Sequence, residues 1–156
     1  MKKTSVVWLV VIQFVLAYEW LHSGWGKWAT SGFIDNIGKT LDGFITKNPN
    51  TGYAAFLQNT AVPNAQLFGN LIRIGELSVG IAFALGGILL LAKKRLDPTV
   101  IWLLVFAFLG GAIMNFNFYF AAGWLSPSTG GINLVMGLIS LVFAVYYFVN
   151  RKELAS

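Results

Sequence analysis

The chain has 156 residues, 56% of them hydrophobic and 11% charged, where soluble proteins carry about 25% charge. That composition excludes an ordinary water-soluble domain, and the length fits one unit. One histidine and no cysteine exclude a thiolate or all-histidine metal site and thiol redox chemistry.

Four stretches reach the roughly 20 apolar residues that cross a bilayer: 6–25, 68–92, 99–124 and 131–149. They predict an all-α integral membrane four-helix bundle. The first span follows Lys2 and Lys3. Two lysines before an apolar run suggest a secretory leader. Tyr18, Glu19 and Trp20 stand where a cleavage site needs small residues, so the segment reads as a permanent helix.

The segment 26–67 is too long for a structureless connection. Within it Phe33, Ile34, Ile37, Leu41, Phe44 and Ile45 recur at helical spacing, opposite Asp35, Asn36, Lys39, Thr40 and Asp42. The spacing predicts an interfacial amphipathic helix from near Ser31 to before Asn48-Pro49. Together with a shorter piece around Tyr53, Phe56 and Leu57, it forms either a lid over the outer mouth of the bundle or a plain anchor.

Lys93, Lys94 and Arg95 fill the turn after the second span. Asp97 and Pro98 then predict an N-cap and first helical residue for the third. A breaker cluster, Ser126 to Gly131, turns the chain back, and Arg151 and Lys152 follow the fourth span. The basic clusters share one side. The positive-inside rule therefore places both termini and the 93–97 turn in the cytoplasm of a plasma-membrane protein, with 26–67 and 125–130 outside. The formal charge of +5 is then a topology signal, and no nucleic-acid partner is expected. Gly80/Ala84, Ala82/Gly86 and Ala107/Gly111 predict close helix packing within the chain.

A charge at a helix centre within the bilayer costs about 2.5–3.5 kcal/mol, yet the second span holds both Arg73 and Glu76. They are three residues apart, on one face. Glu19 and His22 repeat the spacing near the outer end of the first span. Asn115 and Asn117 lie in the outer half of the third, about 25 Å from Pro98. Residues two apart point about 200° from each other on a helix, so only one of these asparagines can face a shared cavity. Asn133 opens the fourth span at the same depth. Polar groups thus gather in the outer third, while the inner halves read as almost purely apolar.

Two explanations fit. In one, Arg73 bridges Glu19 and Glu76 and the amides complete a network that fixes helix register. In the other, Glu19, His22, Arg73, Glu76, Asn115 and Asn117 line a ligand-binding cavity in which Glu19, His22 or Glu76 handles protons.

Three blocks carry a resemblance: Trp20-Leu21-His22-Ser23-Gly24-Trp25-Gly26-Lys27, Gly75-Glu76-Leu77-Ser78-Val79-Gly80-Ile81-Ala82, and Asn115-Phe116-Asn117-Phe118. In order, spacing and placement they resemble the DoxX family of small four-helix membrane proteins, which is related to the membrane subunit of thiosulfate:quinone oxidoreductase. Gln13 and Ala17 depart from the family pattern, standing where relatives often have arginine and glycine. The resemblance implies a membrane subunit or accessory protein of a quinone-linked oxidoreductase, with a sulfur compound as one candidate substrate class. It also implies a redox partner protein, because this sequence has no residues for storing electrons or attaching a cofactor covalently. The alternative from another class is a non-catalytic scaffold or assembly factor for envelope proteins. A solute transporter is disfavoured by the apolar inner half.

Overall fold

The computed structural model describes residues 3–93 and 95–155. Of the basic residues that set the expected orientation, Lys2 and Lys94 lie outside the described residues. Four long helices, α1 (Lys3–Ala29), α4 (Ala65–Ala92), α5 (Pro98–Ala122) and α6 (Pro127–Val149), are long and apolar enough to cross a membrane. The protein is an all-α, multi-pass membrane bundle. Its outward faces are largely apolar: Val15, Leu85, Leu103, Phe106, Ile113 and Val142 are all exposed. In water such a surface would aggregate. In lipid it is the ordinary exterior.

Local chemistry sets the helix ends. The Asp97 carboxylate accepts from the Thr99 N–H at 2.7 Å, with Pro98 at the first helical position. The Ser126 hydroxyl accepts from the Thr129 N–H at 3.0 Å, with Pro127 next. This second cap starts α6 at Pro127, whereas the glycine-rich cluster alone suggested a start at Gly131. Asn133 consequently sits inside the helix, donating to the Thr129 carbonyl. At the other end of the loop region, α1 runs on to Ala29 before the chain turns at Gly32, whose φ of +83° favours glycine.

The helices form two tight antiparallel pairs, α1 with α4 and α5 with α6, joined through α4 on α5. Gly24 faces Leu77 and Gly80 faces Leu21, so each helix of the first pair offers a glycine to the other. A Cβ at Gly80 would stand 2.9 Å from the Leu21 backbone nitrogen. The small residues therefore act within the chain, as the sequence predicts.

The amphipathic helix is α2 (Phe33–Ile45); α3 (Thr51–Phe56) follows and runs into a π-helical turn, Leu57–Ala61. Ile37 and Leu41 of α2 bury against Ala121 and Ala122, with Phe68 beside them. Asn48 fixes the loop that follows α2: its side-chain amide donates to the carbonyls of Phe120 at 3.0 Å and Ala121 at 3.2 Å. Those carbonyls lie in the last turn of α5, where no later helical N–H reaches them.

The inner half of the bundle is not purely apolar. Phe83, Phe108, Phe143 and Tyr147 form a buried aromatic stack. Against it Gln13 is fully buried, donating to the Phe83 carbonyl at 2.7 Å and accepting from the Tyr147 hydroxyl at 2.8 Å. One glutamine thus ties α1, α4 and α6 together, its amide donating to one helix and accepting from another inside an apolar core. At the same end, the Leu96 N–H donates to the Leu154 carbonyl, tying the 93–97 turn to the short C-terminal helix α7 (Arg151–Leu154).

Candidate functional site

Beneath α2, between the outer ends of α1, α4, α5 and α6, lies a cavity of about 320 Å³. Its walls are mainly apolar, and α2 supplies Phe33, Ile37, Thr40 and Phe44 as a roof. Of the two roles that the sequence leaves open for this helix, the geometry matches a cover.

Glu76 is the buried charge of the site, 2% exposed. Its partner is Lys27, whose Nζ stands 2.9 Å from Oε1 and 2.7 Å from Oε2. The Ser23 hydroxyl donates to Oε2 at 3.2 Å and accepts from Lys27 at 2.8 Å. Ser23 and Lys27 are one turn apart on the last stretch of α1. Because the helix continues past Trp25, Lys27 reaches back into the bundle instead of lying in the outer loop. Two charges at this depth are tolerable because they neutralise each other and share a hydroxyl.

Arg73, expected to bridge Glu19 and Glu76, does neither. Its guanidinium lies 4.1 Å from the Trp28 ring, and its backbone carbonyl accepts from the Trp28 indole N–H at 3.4 Å. The i, i+3 spacing put Arg73 near Glu76, but Glu76 turns inward to a closer cation and Arg73 turns toward the outer aromatic rim. His22 departs from expectation more sharply. It is exposed on the lipid-facing side of α1, stacked on Tyr18 with centroids 5.7 Å apart, and takes no part in the cavity.

Of the two asparagines, Asn115 lines the cavity and Asn117 does not, as their angular separation requires. Asn117 is exposed, donating to the Ile113 carbonyl and accepting from the Tyr53 hydroxyl at 2.8 Å. Partial burial of Tyr53 in the outer loop raises its phenol above the usual value. Glu19 lies on the cavity wall, half-buried, with no hydrogen bond or ion pair to another described residue. Asn133 joins the wall from α6.

Two further groups complete the site. The Asn115 Nδ2 and the Trp20 Nε1 are buried N–H donors without a partner among the described residues, and both residues line the cavity. Such atoms cost about 1–3 kcal/mol each when left unpaired. Outside the cavity wall, the Arg73 Nε and the Ser140 hydroxyl are likewise buried without a hydrogen-bond partner among the described residues. The site therefore combines an internally neutralised ion pair, a free carboxylate at the wall and donors that lack acceptors. It suits a small, largely apolar molecule bearing hydrogen-bond acceptors. Among the described residues no group of three or more His, Cys, Asp or Glu side chains could hold a metal ion.

Sequence reasoning missed Lys27, Ser23 and Trp20 as site residues. The signal for the first two was present: a serine and a lysine at i, i+4, in register with Trp20 and Ala17 on the buried side of α1. For Trp20 the interfacial-belt role was the competing reading. No protein-family model, curated protein or solved structure matches this chain.

Proposed function

We propose that this chain is a membrane subunit or accessory protein of a quinone-linked oxidoreductase, of the DoxX type, set in the plasma membrane with both termini cytoplasmic. The observation that carries the reading is a mainly apolar cavity whose wall holds the half-buried Glu19 carboxylate, beside two lining residues, Asn115 and Trp20, whose buried side-chain N–H groups have no acceptor among the described residues. A quinone ring fits that chemistry: its faces are apolar and its carbonyls accept hydrogen bonds. Bound there, it supplies the electron acceptor that the chain itself lacks, and the electrons come from a redox partner protein. The protein's own part is positional. Asn115 and Trp20 hold one ring oxygen, Glu19 takes or gives a proton at an oxygen facing the wall, and the Lys27–Glu76 pair fixes the helices around them.

The test is retention of quinone after purification in mild detergent. Wild-type protein is expected to carry extractable quinone, and Asn115→Leu to lose it. Replacing an unpartnered buried amide by an apolar side chain of similar size is close to neutral for the fold, so the loss reports binding. His22→Ala, whose side chain faces away from the cavity, is expected to retain quinone. Wild-type protein without quinone, together with a stable cross-linked protein partner, supports the scaffold reading instead.

A further inference from the structure

The way into the cavity is the remaining question. Its roof is formed by α2, which lies on α4 and α5. The seams α1–α4, α4–α5 and α5–α6 are packed. The fourth is different. Helices α1 and α6 scarcely approach each other along their backbones, and among the described residues the side-chain hydrogen bond between them is Gln13–Tyr147 in the inner half. Above that bond the two helices face each other across the cavity, α1 through Glu19, Trp20 and Ser23, and α6 through Ile132, Asn133 and Met136.

The geometry points to a lateral portal between α1 and α6, opening the cavity to the outer leaflet. Resting on the amphiphile reading above, it assigns the ligand a long apolar tail that leaves through this seam. Size puts any tail outside the cavity. A cavity of about 320 Å³ is at the small end of ligand pockets and takes a ring but not a polyisoprenoid or long alkyl chain as well. Helical periodicity supports the route. Ile12 and Glu19, seven apart, run down the edge of α1 beside α6, and Met136 and Ile139 run down the facing edge of α6. Leu16 and Phe143 close the floor between them, both 3% exposed. The seam is thus apolar below and carries a single carboxylate, Glu19, where the ring would sit. The Gln13–Tyr147 bond sets its lower limit.

Photocrosslinking tests this with the full-length protein in lipid nanodiscs. The probe is a benzoquinone with a diazirine on a decyl tail, and the competitor is an excess of the same ring without a tail. Adducts that the competitor removes are expected on α1 near residues 12–16 and on α6 near residues 136–139. Met136→Trp, which fills the seam, is expected to lose them, while Leu85→Trp on the exposed face of α4 keeps them. If Met136→Trp does not fold, Ile12→Trp closes the opposite wall. Competable adducts on α2 or on the outer faces of α4 and α5 overturn the portal but leave a quinone site standing. The absence of any competable adduct overturns both.

Discussion

At the residue scale, the Lys27–Glu76 pair decides whether the outer half of the bundle holds. Removing one member of a buried pair strands the other charge, at about 3–5 kcal/mol in a dry interior. Lys27 keeps 24% of its side chain exposed, which places the effect toward the lower end. Glu76→Gln and Lys27→Met should each lower the midpoint of thermal unfolding in detergent, and the double variant should recover a large part of the loss. A double-mutant cycle reads that coupling directly, and additive losses would show that the two groups act independently. His22→Ala should stay within about 0.5 kcal/mol of wild type. The contrast shows what the sequence could and could not reveal. Hydropathy and spacing located the polar level, because charges in an apolar span are conspicuous. They could not choose among Arg73, Lys27 and His22 as partners, because that choice depends on the rotation of α1 against α4, which is set by Gly24 and Gly80 meeting Leu77 and Leu21.

At the element scale, the same two glycines carry the α1–α4 seam. A Cβ at position 80 would press on both the side chain and the backbone of Leu21, so Gly80→Ala forces the helices apart and should destabilise by about 1–3 kcal/mol. Gly110 lies within α5 with no atom within 4 Å of where its Cβ would stand. Gly110→Ala should therefore stabilise by about 0.5–1 kcal/mol through helix propensity. Chemical unfolding of the two variants in parallel separates close approach from intrinsic preference. The N-cap of α5 adds a pH dependence. The Thr99 N–H bonding to Asp97 holds that carboxyl below its usual value. A depressed folded-state pKa stabilises above the unfolded-state value, near 4, and the stability is lost as pH falls through the depressed value. Asp97→Asn keeps a cap of the same shape and should remove that part of the acid sensitivity in thermal melts taken downward from about pH 4. This cap was legible from two adjacent residues. The cap of α6 was hidden behind a run of glycines that reads as loop, although Ser126 and Pro127 carried the same signal.

At the scale of the whole molecule, orientation follows from where charge is free. Four crossings put both ends of the chain on one side of the bilayer. On that side Arg95 and Lys152 are exposed, with Arg151 beside the Phe148 ring. On the opposite side Lys27 is consumed by Glu76, which leaves Lys39, Lys47 and Arg73, the last against the Trp28 ring. The asymmetry in unpaired cations is therefore larger than a count along the sequence suggests, and it favours the positive-inside orientation. The chain has no cysteine, so single thiols report cleanly. Ser128 and Arg95 are both exposed, at opposite ends of α5. In intact cells, a membrane-impermeant maleimide should label Ser128→Cys and leave Arg95→Cys unmodified until the membrane is permeabilised. The reverse pattern would turn the cavity, its α2 cover and the α1–α6 seam toward the cytoplasm.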